Sequence, residues 1–361
     1  MKGGIPIGKI KGIKVYIHWT FFILLFWIGG SKFIEDGDLN SVASELGFIL
    51  SVFACVLLHE FGHALTAARY GVKTKDITLL PIGGVARLEK MPELPIQEFY
   101  VAIMGPMVNV IIVVLLWILI QLGKGFPIAF DFEDFGENGF LVNLGFVNLS
   151  LIVFNLIPAF PMDGGRVLRS LLAMKWSREK ATRIAVSIGQ SIAVLFVVAG
   201  FFYNPFLILI GVFVFLGAQS ELKIVQKQSA FKGVFVKNIM IRDFIVLDEH
   251  SSLKEASSAL LQGYSTEFLV KSGEVIVGVV TRNQILRGFA QYESTEPIST
   301  VMTREIFYVS PDDEVSNCWL KMKAGNLQVV PVYSDSILIG ILTNENITEY
   351  YAMHVAMQEF R

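Results

Sequence analysis

The chain of 361 residues is 53% hydrophobic and only 17% charged, and its mean hydropathy of +0.57 excludes an ordinary soluble domain. A formal net charge of -2 provides no basic surface for nucleic acid, so we expect no nucleic-acid partner. The two cysteines, Cys55 and Cys318, exclude a disulfide framework and favour a reducing compartment for the soluble part. Lys, Asp and Glu concentrate after about residue 220, which predicts a membrane domain followed by a soluble domain.

Six apolar windows approach the length of about 20 residues that a helix needs to cross a bilayer. They cover residues 14–31, 45–69, 97–122, 140–173, 183–202 and 204–220. The loops after the first and third windows are acidic, and those after the second and fourth are basic. Because Lys and Arg mark cytoplasmic loops, the sequence predicts a multi-pass protein of the cell membrane whose N- and C-termini both lie in the cytoplasm.

The second window contains His59-Glu60-Phe61-Gly62-His63, a His-Glu-x-x-His pattern. Two histidines four residues apart lie on one face of a helix, so both can bind one zinc ion, with Glu60 beside it as a general base. The alternative is a pair of core histidines, which is disfavoured because ionisable groups in membrane helices are costly and usually functional. Cys55, one turn earlier, is interpreted as an inert buried thiol, and His18 as an interfacial residue.

Residues 76–88 contain Gly83-Gly84 between two short β-prone runs, which is typical of a hairpin beside the membrane face. Its free edge could pair with an unwound substrate segment, and an ordinary cytoplasmic loop is the alternative. In the third window, Gly105-Pro106-Met107-Val108-Asn109 predicts a kink and a polar side chain. Asn109 either faces the site or forms a helix-packing hydrogen bond, and the packing role is favoured.

A catalytic zinc usually has three protein ligands, so a third ligand is needed. Asp163 is the best candidate because Pro158, Pro161, Gly164 and Gly165 interrupt the fourth window around it. Proline removes a backbone donor and bends the helix, which would let the carboxylate turn into the protein interior. The alternative is that Asp163 is solvated in a turn at the cytoplasmic end of this span.

His59-Glu60-Phe61-Gly62-His63, together with residues 155–165, resembles the site-2 protease family of intramembrane metalloproteases. The resemblance is to the subgroup with C-terminal CBS domains, which is related to a sporulation protease that processes a pro-sigma factor. It implies that His59, His63 and Asp163 bind one Zn²⁺ per chain and that Glu60 polarises the zinc-bound water. It also implies that Asn155 is a catalytic residue that positions substrate or stabilises the oxyanion. The chain has Phe160-Pro161-Met162-Asp163-Gly164 where the commoner family form is Asn-Pro-Asp-Gly.

Beyond residue 232 the sequence repeats with a period of 62, aligning Met240 with Met302, Gly278 with Gly340 and Thr281 with Thr343. This repeat resembles a tandem CBS pair, which implies an α/β module that dimerises or binds adenine nucleotides. Gln284 and Asn346 stand where the family usually has a ribose-binding Asp, so nucleotide binding and a purely structural role both stay open. The predicted boundaries are 1–222 for the membrane protease domain, 223–232 for a linker, 233–290 and 296–352 for the CBS domains, and 353–361 for a tail.

We therefore predict an α-helical membrane domain of about six spans with a membrane-associated β-hairpin, followed by an α/β tandem CBS module. The predicted function is a zinc endopeptidase that cleaves a single-pass transmembrane substrate, such as an anti-sigma factor, a pro-sigma factor or a signal-peptide remnant. The CBS module would regulate it or join a homodimer. The alternative is a CBS-regulated transporter or channel, whose fold should contain repeated membrane halves with paired broken helices.

Overall fold

The computed structural model describes residues 4–81, 83–88, 91–92, 94–124, 139–263 and 266–359. The chain forms two compact units, Met1–Val225 and Gln226–Arg361. The helices that begin in the first unit, within the described residues, are α1 (Thr20–Asp36), α2 (Leu39–Arg69), α3 (Pro95–Lys124), α4 (Phe140–Leu156), α5 (Asp163–Ala173), α6 (Arg178–Phe202) and α7 (Phe206–Ala230). Residues 223–230, which the sequence analysis assigns to a linker, continue α7 as regular helix.

Four of the described helices are long and apolar enough to cross a bilayer: α2, α3, α6 and α7. α4 is apolar but has 17 residues, which corresponds to about 26 Å of helix. The fourth predicted window, 140–173, divides into α4 and α5 because Pro158 and Pro161 lack the N–H groups that a continuous helix requires. The acidic loop predicted at residues 131–137 lies outside the described residues.

A four-stranded sheet accompanies the helices, with the order β1 (Gly4–Ile10), β2 (Ile13–His18), β3 (Thr74–Leu80) and β4 (Gly83–Leu88). The predicted hairpin is confirmed: β3 and β4 pair antiparallel. The prediction that the first span begins at residue 14 is wrong, because residues 14–18 belong to β2, which pairs parallel to β3.

A turn joins β1 to β2, with positive φ at Lys11 (47°) and Gly12 (87°). Two successive residues with positive φ are the signature of a tight hairpin turn. The sheet packs on α2, where Ile13, Val15 and Ile77 form one core cluster with Phe61 and Ala64. This packing places the hairpin beside the helical turn that carries the predicted zinc ligands.

The second unit contains the repeat as two matching sets of elements. They are α8 (Leu253–Leu261), β6 (Glu267–Ser272), β7 (Val275–Thr281) and α9 (Arg282–Gln291), then α10 (Val315–Gly325), β8 (Val329–Ser334), β9 (Ile337–Thr343) and α11 (Asn344–Glu359), with β5 (Val246–Asp248) ahead of them. Each element of the second set begins 62 residues after its counterpart, as the repeat predicts. The copies also exchange contacts: Ile241 bridges to Ile341, and Val279 bridges to Thr303.

Candidate metal centre

α2 brings His59, Glu60 and His63 into the interior of the first unit. The helix runs for 31 residues, and the Asp38 side chain caps its first turn by accepting from the backbone N–H of Ser41 (3.3 Å). His59 and His63 are 6% and 5% exposed, and their Nε2 atoms lie 3.1 Å apart. The four-residue spacing therefore turns both Nε2 atoms toward one point.

Asp163 completes this group from the first position of α5. Its Oδ2 atom lies 3.2 Å from His59 Nε2 and 3.1 Å from His63 Nε2, and the residue is 6% exposed. Three ligands at about 2.0–2.1 Å from a tetrahedral zinc ion lie about 3.3 Å from one another. Two imidazoles and a carboxylate at these separations fit one zinc ion, both in chemistry and in spacing.

Two glycines explain how α5 can begin at this place. A Cβ atom on Gly164 would lie less than 3.0 Å from the carbonyl oxygens of Leu156 and Ile157. A Cβ atom on Gly165 would meet the backbone of Ala159 at a similar distance. The segment between α4 and α5 therefore folds tightly over the start of α5, and this turn aims Asp163 at the histidines rather than at solvent.

α3 forms the wall opposite α2 and orients both imidazoles. His63 Nδ1 lies 2.7 Å from the carbonyl oxygen of Val101, and His59 Nδ1 lies 2.6 Å from Asn109 Oδ1. An asparagine at this place in an apolar helix predicts a helix-packing role for Asn109. The structure shows that contact, with Asn109 Nδ2 donating to Asn148 Oδ1 on α4 (2.9 Å), and also the contact with the site.

Glu60 points toward the hairpin. Its Oε2 atom accepts a hydrogen bond from the backbone N–H of Ala86 on β4 (3.0 Å). A Cβ atom on Gly84 would lie 2.7 Å from Glu60 Cγ, so the close approach of β4 to α2 depends on a glycine there. β4 is an edge strand of the sheet.

An ion pair holds the two strands of the hairpin in register. Arg87 donates from Nε to Asp76 Oδ1 across the pair (2.7 Å), and the same carboxylate raises the pKa of Arg87 further above its usual range.

The other residues singled out from the sequence lie elsewhere. Asn155 is half-buried in the last turn of α4, and within the described part of the chain its side chain makes no hydrogen bond to the three clustered residues. Cys55 is a buried free thiol. His18 Nδ1 lies 2.8 Å from Thr20 Oγ1 at the start of α1.

Sequence reasoning missed a buried ion cluster that holds α5 in place. Arg169, 1% exposed, donates from Nε to Glu98 Oε1 on α3 (2.7 Å) and from Nη1 to Glu221 Oε1 on α7 (2.6 Å). Its guanidinium carbon also lies 5.0 Å from the ring centroid of Phe160. The available signal was an arginine at the end of an apolar window, since such a charge requires a partner.

Comparisons with known proteins find relatives of both units. The profile of peptidase family M50 matches residues 47–137 and 131–200, and the profile of the CBS domain matches residues 236–291 and 298–353. Stage IV sporulation protein FB of Bacillus subtilis is 29% identical over 173 residues, which are 48% of this chain and 52% of that protein. A solved site-2 protease structure from Methanocaldococcus jannaschii is 39% identical and covers 61% of this chain and 95% of that chain, with a TM-score of 0.44.

One relative matches along nearly the whole chain. A zinc metalloprotease of Methanocaldococcus jannaschii is 34% identical over 350 residues, which are 96% of this chain and 96% of that protein. The match includes both the helical unit with the His-Glu-x-x-His segment and the CBS pair. This chain therefore belongs to peptidase family M50, the site-2 protease family of zinc metalloproteases, in a form that carries two CBS domains.

Proposed function

We propose that the protein is an intramembrane endopeptidase that hydrolyses a peptide bond in or near a transmembrane segment of another membrane protein. The observation that carries this proposal is the position of the three metal-binding side chains. His59 and His63 lie in a helix apolar enough to span a bilayer, and Asp163 reaches them from a broken segment between two further helices. A peptidase site built into membrane-spanning helices fits a substrate that is itself in the membrane.

We assign His59 Nε2, His63 Nε2 and Asp163 Oδ2 as the protein ligands of one Zn²⁺ per chain. When bound, zinc supplies a Lewis acid that lowers the pKa of water and polarises a peptide carbonyl. Glu60 would accept a proton from the attacking water and return it to the leaving amine. Asn155 would orient the substrate or donate to the developing oxyanion. Its amide forms no hydrogen bond with another side chain among the described residues.

We propose that the substrate binds as an added strand on the open edge of β4. A helical peptide hides its carbonyl groups in hydrogen bonds, so it must unwind before hydrolysis, and an edge strand can replace those bonds. The contact between the Ala86 N–H and Glu60 supports this site, because a segment that paired with β4 would replace that hydrogen bond and run alongside the released carboxylate. The substrate class is therefore a single-pass protein whose transmembrane helix unwinds easily, such as an anti-sigma factor, a pro-sigma factor or a signal-peptide remnant.

We place both termini and the CBS pair in the cytoplasm and assign the pair a regulatory or dimerising role, with a second copy of this chain as the partner. Gln284 and Asn346, the positions of the family's ribose-binding Asp, are engaged inside the pair. Gln284 Nε2 donates to the Val301 carbonyl (2.9 Å), and Asn346 Nδ2 donates to the Ile239 carbonyl (3.1 Å). These reciprocal bonds support a structural module over an adenine-nucleotide sensor. Family membership also leaves no support for the transporter alternative.

The test compares purified wild type with Glu60→Gln and Asp163→Ala in detergent, recording zinc per chain and cleavage of a panel of single-pass substrates. Glu45→Gln, on the same helix as Glu60, is the matched control. We expect cleavage by wild type and by the control only, with zinc retained in Glu60→Gln and lost from Asp163→Ala. Wild type without zinc, or full cleavage by Asp163→Ala, would overturn the assignment.

A further inference from the structure

A line of hydrogen bonds leads away from His59 through two buried asparagines. His59 Nδ1 lies 2.6 Å from Asn109 Oδ1, and Asn109 Nδ2 donates to Asn148 Oδ1 at 2.9 Å. Asn148 Nδ2 donates to the backbone carbonyl of Leu144, one turn earlier on α4, at 2.8 Å. The line therefore joins α2, α3 and α4 and ends on a backbone atom.

The chemistry of that last atom sets the direction of every bond in the line. A carbonyl oxygen only accepts, so Asn148 must turn its NH₂ group toward Leu144 and its oxygen toward Asn109. That oxygen in turn requires the NH₂ group of Asn109, which leaves Asn109 Oδ1 facing His59. An amide oxygen also only accepts, so His59 must carry its proton on Nδ1. Its Nε2 atom then has a free lone pair directed at His63 and Asp163.

Burial makes this arrangement costly unless it is fully paired. Asn109 and Asn148 are both 0% exposed, and each lies in an apolar helix. A buried amide without its hydrogen bonds is strongly unfavourable, so neither side chain can flip without leaving two polar contacts mismatched. The burial of both residues therefore holds the direction of the line.

We propose that Asn109, held in orientation by Asn148, is a positioning residue that keeps His59 in the Nδ1-protonated tautomer and its Nε2 atom available to the metal. The inference rests on the proposed role of His59 as a zinc ligand. His63 reaches the same state through the Val101 carbonyl, which needs no side chain to orient it. The two ligands thus differ: His63 is oriented by backbone, and His59 depends on two side chains that mutation can remove.

The competing explanation is that Asn109 and Asn148 only join α3 to α4. The experiment separates the two explanations by measuring zinc affinity of the full chain in detergent, by competition with a chelator, and the thermal unfolding midpoint of the zinc-free protein. The variants are Asn109→Leu, Asn148→Leu, the double variant and Asn109→Asp. Asn143→Leu, on α4, is the matched control because the Asn143 side chain forms no hydrogen bond with His59, Asn109 or Asn148.

We expect Asn109→Leu to weaken zinc binding about 10- to 100-fold, the usual effect of removing a partner that orients a metal-binding histidine. Asn148→Leu should weaken zinc binding less than Asn109→Leu does. The double variant should bind zinc as tightly as Asn109→Leu, because Asn148 acts only through Asn109. Asn109→Asp breaks the bond to Asn148 but keeps an acceptor for His59 Nδ1, so its zinc affinity should exceed that of Asn109→Leu.

Unchanged zinc affinity in Asn109→Leu, with only a lower unfolding midpoint, would overturn the positioning role and leave the metal assignment intact. Additive losses in the double variant would overturn the serial arrangement and with it the role of Asn148. A wild type that binds no zinc, or an Asp163→Ala variant that binds it unchanged, would overturn the proposed metal centre and this inference together.

Discussion

Gly105 shows how the absence of one side chain leaves space around the Nε2 atoms of the two clustered histidines. It lies on α3 opposite the two histidines, and a Cβ atom there would come within 3.0 Å of Nε2 of both His59 and His63. Gly62 on α2 likewise allows close packing against α3, because a Cβ atom there would lie 2.6 Å from the Met104 carbonyl oxygen. Small residues let the two helices approach closely, which is how membrane helices commonly pack.

We predict that Gly105→Ala removes zinc binding and proteolysis, because the added methyl group would occupy the space between the Nε2 atoms. Gly145→Ala is the matched control: it lies in α4 with open space at its Cβ position, so it should be neutral or slightly stabilising. Zinc per chain and the unfolding midpoint in detergent measure both effects. Normal zinc content in Gly105→Ala would show that α3 can move away without cost, contrary to this account.

At the scale of elements, β4 can approach α2 closely because residue 84 is a glycine. Gly84 faces Glu60 so closely that a methyl group there would force the hairpin outward. We predict that Gly84→Ala reduces cleavage at least 10-fold while zinc binding is retained, because the methyl group would push apart Glu60 and the strand on which the substrate is proposed to pair, and neither is a proposed metal ligand. Gly8→Ala on β1, where the Cβ position is open, should leave both properties unchanged. Equal cleavage by the two variants would argue against β4 as the substrate-pairing strand.

α5 depends on a buried cluster of charges rather than on its apolar face alone. Arg169 is nearly inaccessible and pairs with Glu98 and Glu221, which come from two other helices. Removing Arg169 would leave the buried Glu98 with only its second ion pair, to Arg178 (3.2 Å), and breaking a buried ion pair costs about 3–5 kcal/mol. The cluster therefore holds the helix whose first residue is Asp163.

We predict that Arg169→Met lowers the unfolding free energy by about 3–5 kcal/mol and weakens zinc binding as a consequence. Arg183→Met, which breaks only the exposed pair with Glu179 on α6, should change the stability by less than about 1 kcal/mol. Denaturation of both variants in mixed detergent measures the difference. Similar losses in the two variants would show that burial of the cluster does not matter.

At the scale of the whole molecule, the CBS pair is built on reciprocal contacts between its copies. Gly278 has Met302 and Thr303 against its Cβ position, and Gly340 has Met240 and Ile241 in the equivalent place. Neither copy completes its own sheet surface alone, because each supplies the segment that covers the other. Gln284 and Asn346 add a hydrogen bond in each direction. The pair should therefore fold as one module.

We predict that 1 mM ATP, AMP or S-adenosylmethionine does not raise the unfolding midpoint of the full chain. A ligand present at 100 times its Kd would stabilise the folded protein by about 2.7 kcal/mol, which is easily measured. Because Gln284 and Asn346 are used inside the pair, no stabilisation is expected. The unrelated nucleotide GTP controls for nonspecific effects, and a midpoint that rises only with an adenine ligand would contradict the prediction.

The sequence by itself determined the features that depend on local spacing. The interval between His59 and His63 places them on one helical face, the prolines and glycines around Asp163 break the fourth span, and the period of 62 predicts two copies of one α/β unit. Each of these signals lies within one element or repeats along the chain, so hydrophobic period, proline chemistry and internal repetition are enough to find it. The hairpin at residues 76–88 belongs with them.

Only the tertiary structure decided which distant residues meet. Asn109 and Asn148 lie 39 residues apart, and Arg169 lies 71 residues from Glu98. No periodicity connects such pairs, because their contact depends on how the helices cross. The parallel pairing of β2 with β3 likewise joins strands separated by two helices. The sequence predicted the chemistry of a metal site, whereas the packing of α2, α3 and α4 decided which side chains orient His59.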